Sequence, residues 1–271
     1  MTDDVSARSN LVKVPRVTGF FWIIKILTTA MGEATSDYLV HRFNPYLAVI
    51  GGFLTFAVAI VIQFGMRRYV PWAYWLAVTM VAVFGTMAAD VLHIQFGVPY
   101  IASTILFAVA LAVVFTAWQK SEGTLSIHSI FTPRREMFYW AAVLATFAMG
   151  TAAGDLAAYT ANLGFLTAGI FFAAMFALPG LAYRFGNLNA ILAFWLAYVM
   201  TRPLGASLAD WLGKSHAARG LNYGDGPVAL VLTILIVALV GYVSVTGADR
   251  PEEPAGDEAI PDAPLGEEAT G

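Results

Sequence analysis

One unit recurs four times along the chain, each time inside an apolar stretch. A tryptophan is followed ten residues later by a glycine, and five residues after that by an aspartate. The copies are Trp22, Gly32 and Asp37; Trp75, Gly85 and Asp90; Trp140, Gly150 and Asp155; and Trp195, Gly205 and Asp210. The residue before each tryptophan is aromatic as well: Phe21, Tyr74, Tyr139 and Phe194. The chain has only seven tryptophans, so a spacing kept four times marks a tandem repeat. Each copy also keeps an acid where the surroundings are apolar, and such an acid usually has work to do.

The medium follows from composition. Hydrophobic residues make up 59% of the chain and charged residues 12%, whereas soluble domains carry about a quarter charged residues. Mean hydropathy is +0.70. Eight apolar runs, at about 17–38, 46–66, 71–93, 99–118, 137–160, 163–183, 188–212 and 227–247, are long enough to cross a bilayer. The predicted fold is therefore all-α: a polytopic membrane protein with eight transmembrane helices in four parallel two-helix repeats. The repeats lie at about 17–66, 71–118, 137–183 and 188–247. Residues 1–16 are predicted to form an N-terminal arm without a signal-peptide pattern. Residues 248–271, acidic and proline-rich without aromatics, are predicted to be a disordered tail. Cysteine is absent, which excludes disulfides, thiolate metal sites and cysteine catalysis.

Basic residues set the expected orientation. Arg8, Lys13, Arg16, Arg67, Arg68, Lys120, Arg134, Arg135, Arg184 and Arg250 fall on one side of the eight runs. Arg42, Lys214 and Arg219 fall on the other. The positive-inside rule then places both termini in the cytoplasm. Two-span units return the chain to its starting side, so the four copies share one orientation, related by an axis along the membrane normal.

The motif has readable mechanics. Fifteen residues of helix rise about 22 Å and turn about 60° beyond whole turns, so tryptophan and aspartate face broadly one side at opposite depths. The motif helices are expected around the axis, with the more apolar even spans outside. The tryptophans are expected at the headgroups as interface anchors. The glycines are expected to let neighbouring helices approach closely, and Pro203 beside Gly205 is expected to kink the seventh span.

The acids constrain function most. Asp37, Asp90, Asp155, Asp210 and the additional Glu33 would each be costly in the membrane unless paired, protonated or hydrated. Lys25 and Arg202 are the candidate balancing charges, each expected within ion-pair reach of a carboxylate. Five acids against two bases leave a negative interior for a cation or protons to make up. His41 stands four residues after Asp37, and His93 three after Asp90. Oxygen ligands joined by one or two imidazoles suit a first-row divalent ion such as manganese, iron or zinc. Glu33, Asp37 and Asp90, with His41 and His93, are thus the leading cation ligands. Asp155 and Asp210 are assigned to protons or packing. The plainer alternative is that the aspartates cap helix ends in outer-surface water and the histidines are interfacial. Thr28, Thr146 and Thr201 add hydroxyls nine residues before three of the aspartates; Val81 takes that place in the second copy.

Other chemistry finds no motif. There is no phosphate-binding loop, no HExxH and no GxSxG, so no enzyme activity is expected. The scattered basic residues do not form a nucleic-acid footprint. The four tandem two-span copies, with aromatic-tryptophan pairs and glycine-to-aspartate ends such as TRPLGASLADWLGK, resemble the bacterial family of uncharacterised membrane-anchored proteins, over about residues 14–248. The resemblance implies an eight-helix repeat architecture in a bacterial inner membrane and no particular reaction. The acid-bearing segments are also loosely similar to those of manganese or calcium exchangers, an analogy only. The functional expectation is a secondary transporter of a divalent cation, such as manganese, coupled to protons. Its partners would be the bilayer and a small ion or solute, with no cofactor beyond the ion as substrate. A carrier of a small organic solute and a non-transport scaffold or sensor are the alternatives.

Overall fold

The computed structural model describes residues 12–251, which are helical with no strand among them. Expectations for residues 1–11 and 252–271 lie outside the described residues. Eight long helices follow one another: α1 (Gly19–Arg42), α2 (Pro45–Gly65), α3 (Pro71–Ile94), α4 (Tyr100–Glu122), α5 (Pro133–Asp155), α6 (Phe165–Gly186), α7 (Ala190–Gly213) and α8 (Asp225–Thr246). Seven of them are long and apolar enough to cross a membrane. The exception is α1, which has 24 residues but carries Lys25, Glu33 and Asp37.

Local chemistry explains the helix ends. Asn44 and Asn189 cap α2 and α7 by accepting two backbone N–H groups each, and Thr18 and Thr132 cap α1 and α5 by accepting one each. Proline opens α2, α3 and α5, where its missing N–H costs nothing. Helix α4 stops at Gly123 and α8 at Gly247, both in the left-handed region.

The four motif helices form a closed ring. Helix α1 packs on α3, α3 on α5, α5 on α7, and α7 back on α1. The even helices lie outside, and each packs chiefly on the motif helix of the next repeat: α2 on α3, α4 on α5, α6 on α7 and α8 on α1. Their outer faces expose Leu54, Val61, Val113, Ile170 and Val237, a surface that suits lipid.

Glycine sets the register of the ring. Gly32 faces Ala82, Gly85 faces Phe147, Gly150 faces Arg202 and Pro203, and Gly205 faces Thr29 and Ala30. Thr29, Ala82, Phe147 and Arg202 each stand eight residues before their own aspartate. Each helix therefore meets its neighbour at one repeated point, and the fourth repeat closes on the first. A β-carbon at Gly32 would lie 2.8 Å from the carbonyl carbon of Ala82, and one at Gly205 2.9 Å from the backbone nitrogen of Ala30. No side chain fits at either contact.

The aromatic pairs clasp the same ring at its other end. Phe21 meets Trp75 at 5.7 Å between ring centroids, Tyr74 meets Trp140 at 5.7 Å, Tyr139 meets Trp195 at 6.2 Å, and Phe194 meets Trp22 at 5.7 Å. This corrects the expected headgroup anchoring. Trp75, Trp140 and Trp195 are buried and Trp22 is half-buried, because parallel neighbours bring each tryptophan against the aromatic residue of the preceding repeat. Aromatic pairs of this kind add about 0.5–1.5 kcal/mol beyond their burial. Helix α7 continues as one element through Pro203.

Candidate functional site

The residues four before each aspartate are Glu33, Thr86, Thr151 and Ala206. The parallel ring brings the first three together around Arg202 of the fourth repeat. Arg202 Nη2 donates to Glu33 Oε2 at 2.5 Å and to Thr151 Oγ1 at 2.7 Å, and also to Thr86 Oγ1. The threonine hydroxyls in turn donate to Ala82 and Phe147 carbonyls one turn back. Arg202 is 1% exposed, and its Nε and Nη1 have no hydrogen-bond partner among the described residues. The expected Arg202 ion pair is therefore present, with Glu33 as partner.

Lys25 departs from expectation. It is fully buried, and its Nζ has no hydrogen-bond partner among the described residues. It sits 3.9 Å above the Phe147 ring centroid and 4.4 Å from that of Tyr198. The expected carboxylate partner is replaced by ring faces, because Glu33 lies two turns further along the same helix and is held by Arg202.

At the aspartate end, carboxylate oxygens of Glu33, Asp37 and Asp210 lie within 4.8 Å of one another. A base that sequence reasoning had placed in a loop joins them. Lys214 pairs with Asp37, and its Nζ lies 3.5 Å from Asp225 Oδ2 and 3.8 Å from Asp210 Oδ1. The segment after α7 folds back on its last turn: the amides of Leu221, Asn222, Tyr223 and Gly224 donate to the carbonyls of Trp211, Lys214, Leu212 and Gly213. That return carries Asp225, the first residue of α8, to the side of Lys214. Burial works against the Lys214 charge, but Asp37, Asp210 and Asp225 outweigh it and hold its pKa above the ordinary lysine value. The four-residue spacing of Asp210 and Lys214 was the available sequence signal.

The remaining predicted ligands are distributed differently. Asp90 and Asp155 are half-buried and within electrostatic reach of Glu33. Asp155 ends α5 where a π-helical turn, Leu156–Thr160, begins, a feature often found at functional sites. The histidines stand apart. His41 is exposed, with Nδ1 2.7 Å from the Asp37 carbonyl oxygen. His93 stacks on Tyr100 at 3.7 Å, with Nδ1 2.9 Å from the Val98 carbonyl oxygen. Neither belongs to the carboxylate group, because the helix register turns one toward open surface and the other into the loop after α3. The acid set is Glu33, Asp37 and Asp210, where the sequence favoured Glu33, Asp37 and Asp90.

The opposite end is closed by aromatics and by the segments just before α1 and just after α8. Tyr74 and Tyr139 hydroxyls lie 2.5 Å apart. Lys13 donates to Glu136 Oε2 at 2.6 Å and Gln63 to Glu136 Oε1 at 3.2 Å. The Arg16 amide donates to the Asp249 carbonyl at 2.8 Å, and the Tyr69 hydroxyl donates to the Asp249 carboxylate. Burial, reinforced by that carboxylate, pushes the Tyr69 phenol well above its ordinary pKa. Asp249 is fully buried, so the segment predicted to be a disordered tail begins as part of the folded body.

A family model described as "Repeat of Unknown Function (DUF347)" matches residues 20–69, 73–124, 138–186 and 193–249. The chain belongs to that family. No curated protein matches the chain, and no solved structure does.

Proposed function

We propose that this member of a repeat family of unknown function is a secondary transporter of a divalent cation, such as manganese, coupled to protons. The charge at the aspartate end carries the reading. Glu33, Asp37, Asp90, Asp155, Asp210 and Asp225 supply six formal negative charges, against two positive ones from the bases set among them, Arg202 and Lys214; Arg42 and Arg219 of the same end are exposed. Carboxylates in such excess, two of them buried and four half-buried, call for protons or a cation. A first-row divalent ion is well matched by three carboxylates that can each give one oxygen. In the present arrangement Lys214 occupies two of those three acids, so an arriving cation has to displace its ammonium group.

The reading takes α1 as an eighth span, with its charged face turned to the ring. It places the aromatic end and both termini in the cytoplasm of a bacterium and the aspartate end at the outer face of its inner membrane. The direct test is uptake of manganese into proteoliposomes with and without a pH gradient. Uptake that follows the gradient and is lost in Asp37→Asn supports the reading; absence of any divalent-ion flux removes it.

A further inference from the structure

Lys25 and Arg202 are two buried bases on adjacent helices with opposite circumstances. Arg202 is tied by one nitrogen to three side chains. Lys25 is tied to none. Arginine keeps its charge in proteins, whereas a buried lysine readily changes protonation state. An ammonium ion facing only aromatic rings in hydrocarbon is costly, so a lysine that is kept there and left unpaired fits a group whose charge comes and goes.

Phenols lead from Lys25 toward the aromatic end. Lys25 and Tyr198 occupy the same repeat position, twelve before the aspartate, on the adjoining helices α1 and α7. The Tyr198 hydroxyl is buried and has no hydrogen-bond partner among the described residues. One turn below, on α3 and α5, are the paired hydroxyls of Tyr74 and Tyr139. Tyr69, which donates to Asp249, meets the Tyr74 ring at 5.8 Å. By repeat register these phenols stand at successive levels between the closed face and the lysine, with Tyr74 and Tyr139 joined by their hydroxyls and Lys25 set against the Tyr198 ring. Of the charged and titratable groups on the neighbouring helices, Tyr198 of α7 offers Lys25 its ring and Arg202 of α7 shares the Phe147 ring with it, while Tyr139 of α5 and Tyr74 of α3 stand one turn below the Tyr198 level. Glu33 stands two turns along α1, and Tyr242 of α8 lies beyond Phe20.

We propose that Lys25 carries the coupling proton of the transport cycle, exchanging it with the aromatic face through Tyr198, Tyr139 and Tyr74. A hydronium ion at that face gives up a proton and becomes water. Each phenol accepts one proton and passes one on, and the Lys25 amine lone pair forms the final N–H bond. The added charge joins that of Arg202 and weakens the hold of Glu33 on a cation. Loss of the proton by the same route restores it. The inference rests on the proton-coupled reading above and assigns its proton to a named group.

The test uses the full chain in liposomes with a trapped pH dye and manganese chloride as the probe. Lys25→Met keeps the shape and removes the amine, Lys25→Arg fixes the charge, and Tyr198→Phe removes one hydroxyl. Lys25→Met is expected still to exchange manganese for manganese, at a rate altered by loss of the charge beside Arg202, while manganese-driven proton movement falls about a hundredfold. Tyr198→Phe and Lys25→Arg are expected to lose proton movement as well. Wild-type proton movement in Lys25→Met would overturn the proposal. If that variant fails to fold, wild-type proton movement in both Lys25→Arg and Tyr198→Phe overturns it instead. Relaxation of internal pH after an external acid jump, without metal, separates this inference from the transport reading. A wild type that moves no manganese, yet relaxes in a Lys25-dependent manner, sinks only the transport reading. Equal relaxation in wild type and Lys25→Met sinks the assignment of Lys25.

Discussion

The two ends of the helical ring are built by opposite rules. At the aromatic end, the four repeats contribute the same thing: an aromatic residue and a tryptophan that interlock with the neighbouring copy. Toward the aspartate end, the positions that matter are those at which the copies differ. Eight before the aspartate stand Thr29, Ala82, Phe147 and Arg202; four before it stand Glu33, Thr86, Thr151 and Ala206. Agreement among the repeats makes the scaffold, and disagreement makes the polar centre. A single arginine and a single glutamate, each present in one copy only, convert a symmetric ring into an asymmetric charged site.

The sharpest way to break this comparison is to restore symmetry at the centre. Arg202→Met leaves Glu33 as a buried, unpaired acid and is expected to cost about 3–5 kcal/mol. The thermal midpoint of the detergent-solubilised protein measures it. A second change, Glu33→Leu, should recover most of the loss. A lone Arg202→Met that melts with the wild type would show that the two charges are not coupled.

The scaffold side gives the next largest effect. Gly32→Ala and Gly205→Ala force a methyl group against neighbouring backbone and are expected to destabilise by about 1–3 kcal/mol each. Gly51→Ala and Gly180→Ala meet open space and should change the melting midpoint little. Equal effects across the four variants would remove the glycines from the ring contact.

At the closed face, Tyr69→Phe deletes the hydroxyl that Asp249 accepts and should cost about 1 kcal/mol. Because it lies at the opposite end of the ring from Glu33, Asp37 and Asp210, it should leave ion binding unchanged. A shifted ion affinity in this variant would mean that the two ends are linked.

The smallest expected effect is a pH dependence that stays flat over the mildly alkaline range. Lys214 has its pKa raised in the folded protein, so its contribution is complete below the unfolded value, about 10.4, and fades as pH rises through the folded one. The difference in melting midpoint between wild type and Lys214→Gln should therefore hold constant from about pH 8 to about pH 9 and shrink only above about pH 10.4. A gap that closes within that window would contradict the triple pairing of Lys214.

Much of the ring was legible from the sequence, because spacing repeated four times is a statement about parallel helices whatever their contacts. The close approach at Gly32 and Gly205 follows from small residues at one register. The inward charge of Arg202 follows from the cost of leaving it bare. The tryptophans misled, since an aromatic at the start of a span looks alike whether it faces headgroups or a neighbouring helix; only the ring decides. Lys25 misled for a related reason: the sequence shows that a buried base wants a partner but not that Arg202 has already taken Glu33. Asp225 and Lys214 were missed because a return of the loop onto α7, made by backbone hydrogen bonds, brings them together. The histidines were overvalued because spacing of three or four residues says nothing about where the end of a helix points.

Equilibrium binding of manganese to the purified protein tests the central claim most directly. The wild type is expected to bind saturably. Asp37→Asn and Asp210→Asn should each weaken binding at least about tenfold, or about 1.4 kcal/mol, while Tyr69→Phe binds as the wild type does. Absence of saturable binding at millimolar concentration, or binding untouched by either aspartate change, would contradict a cation site among Glu33, Asp37 and Asp210.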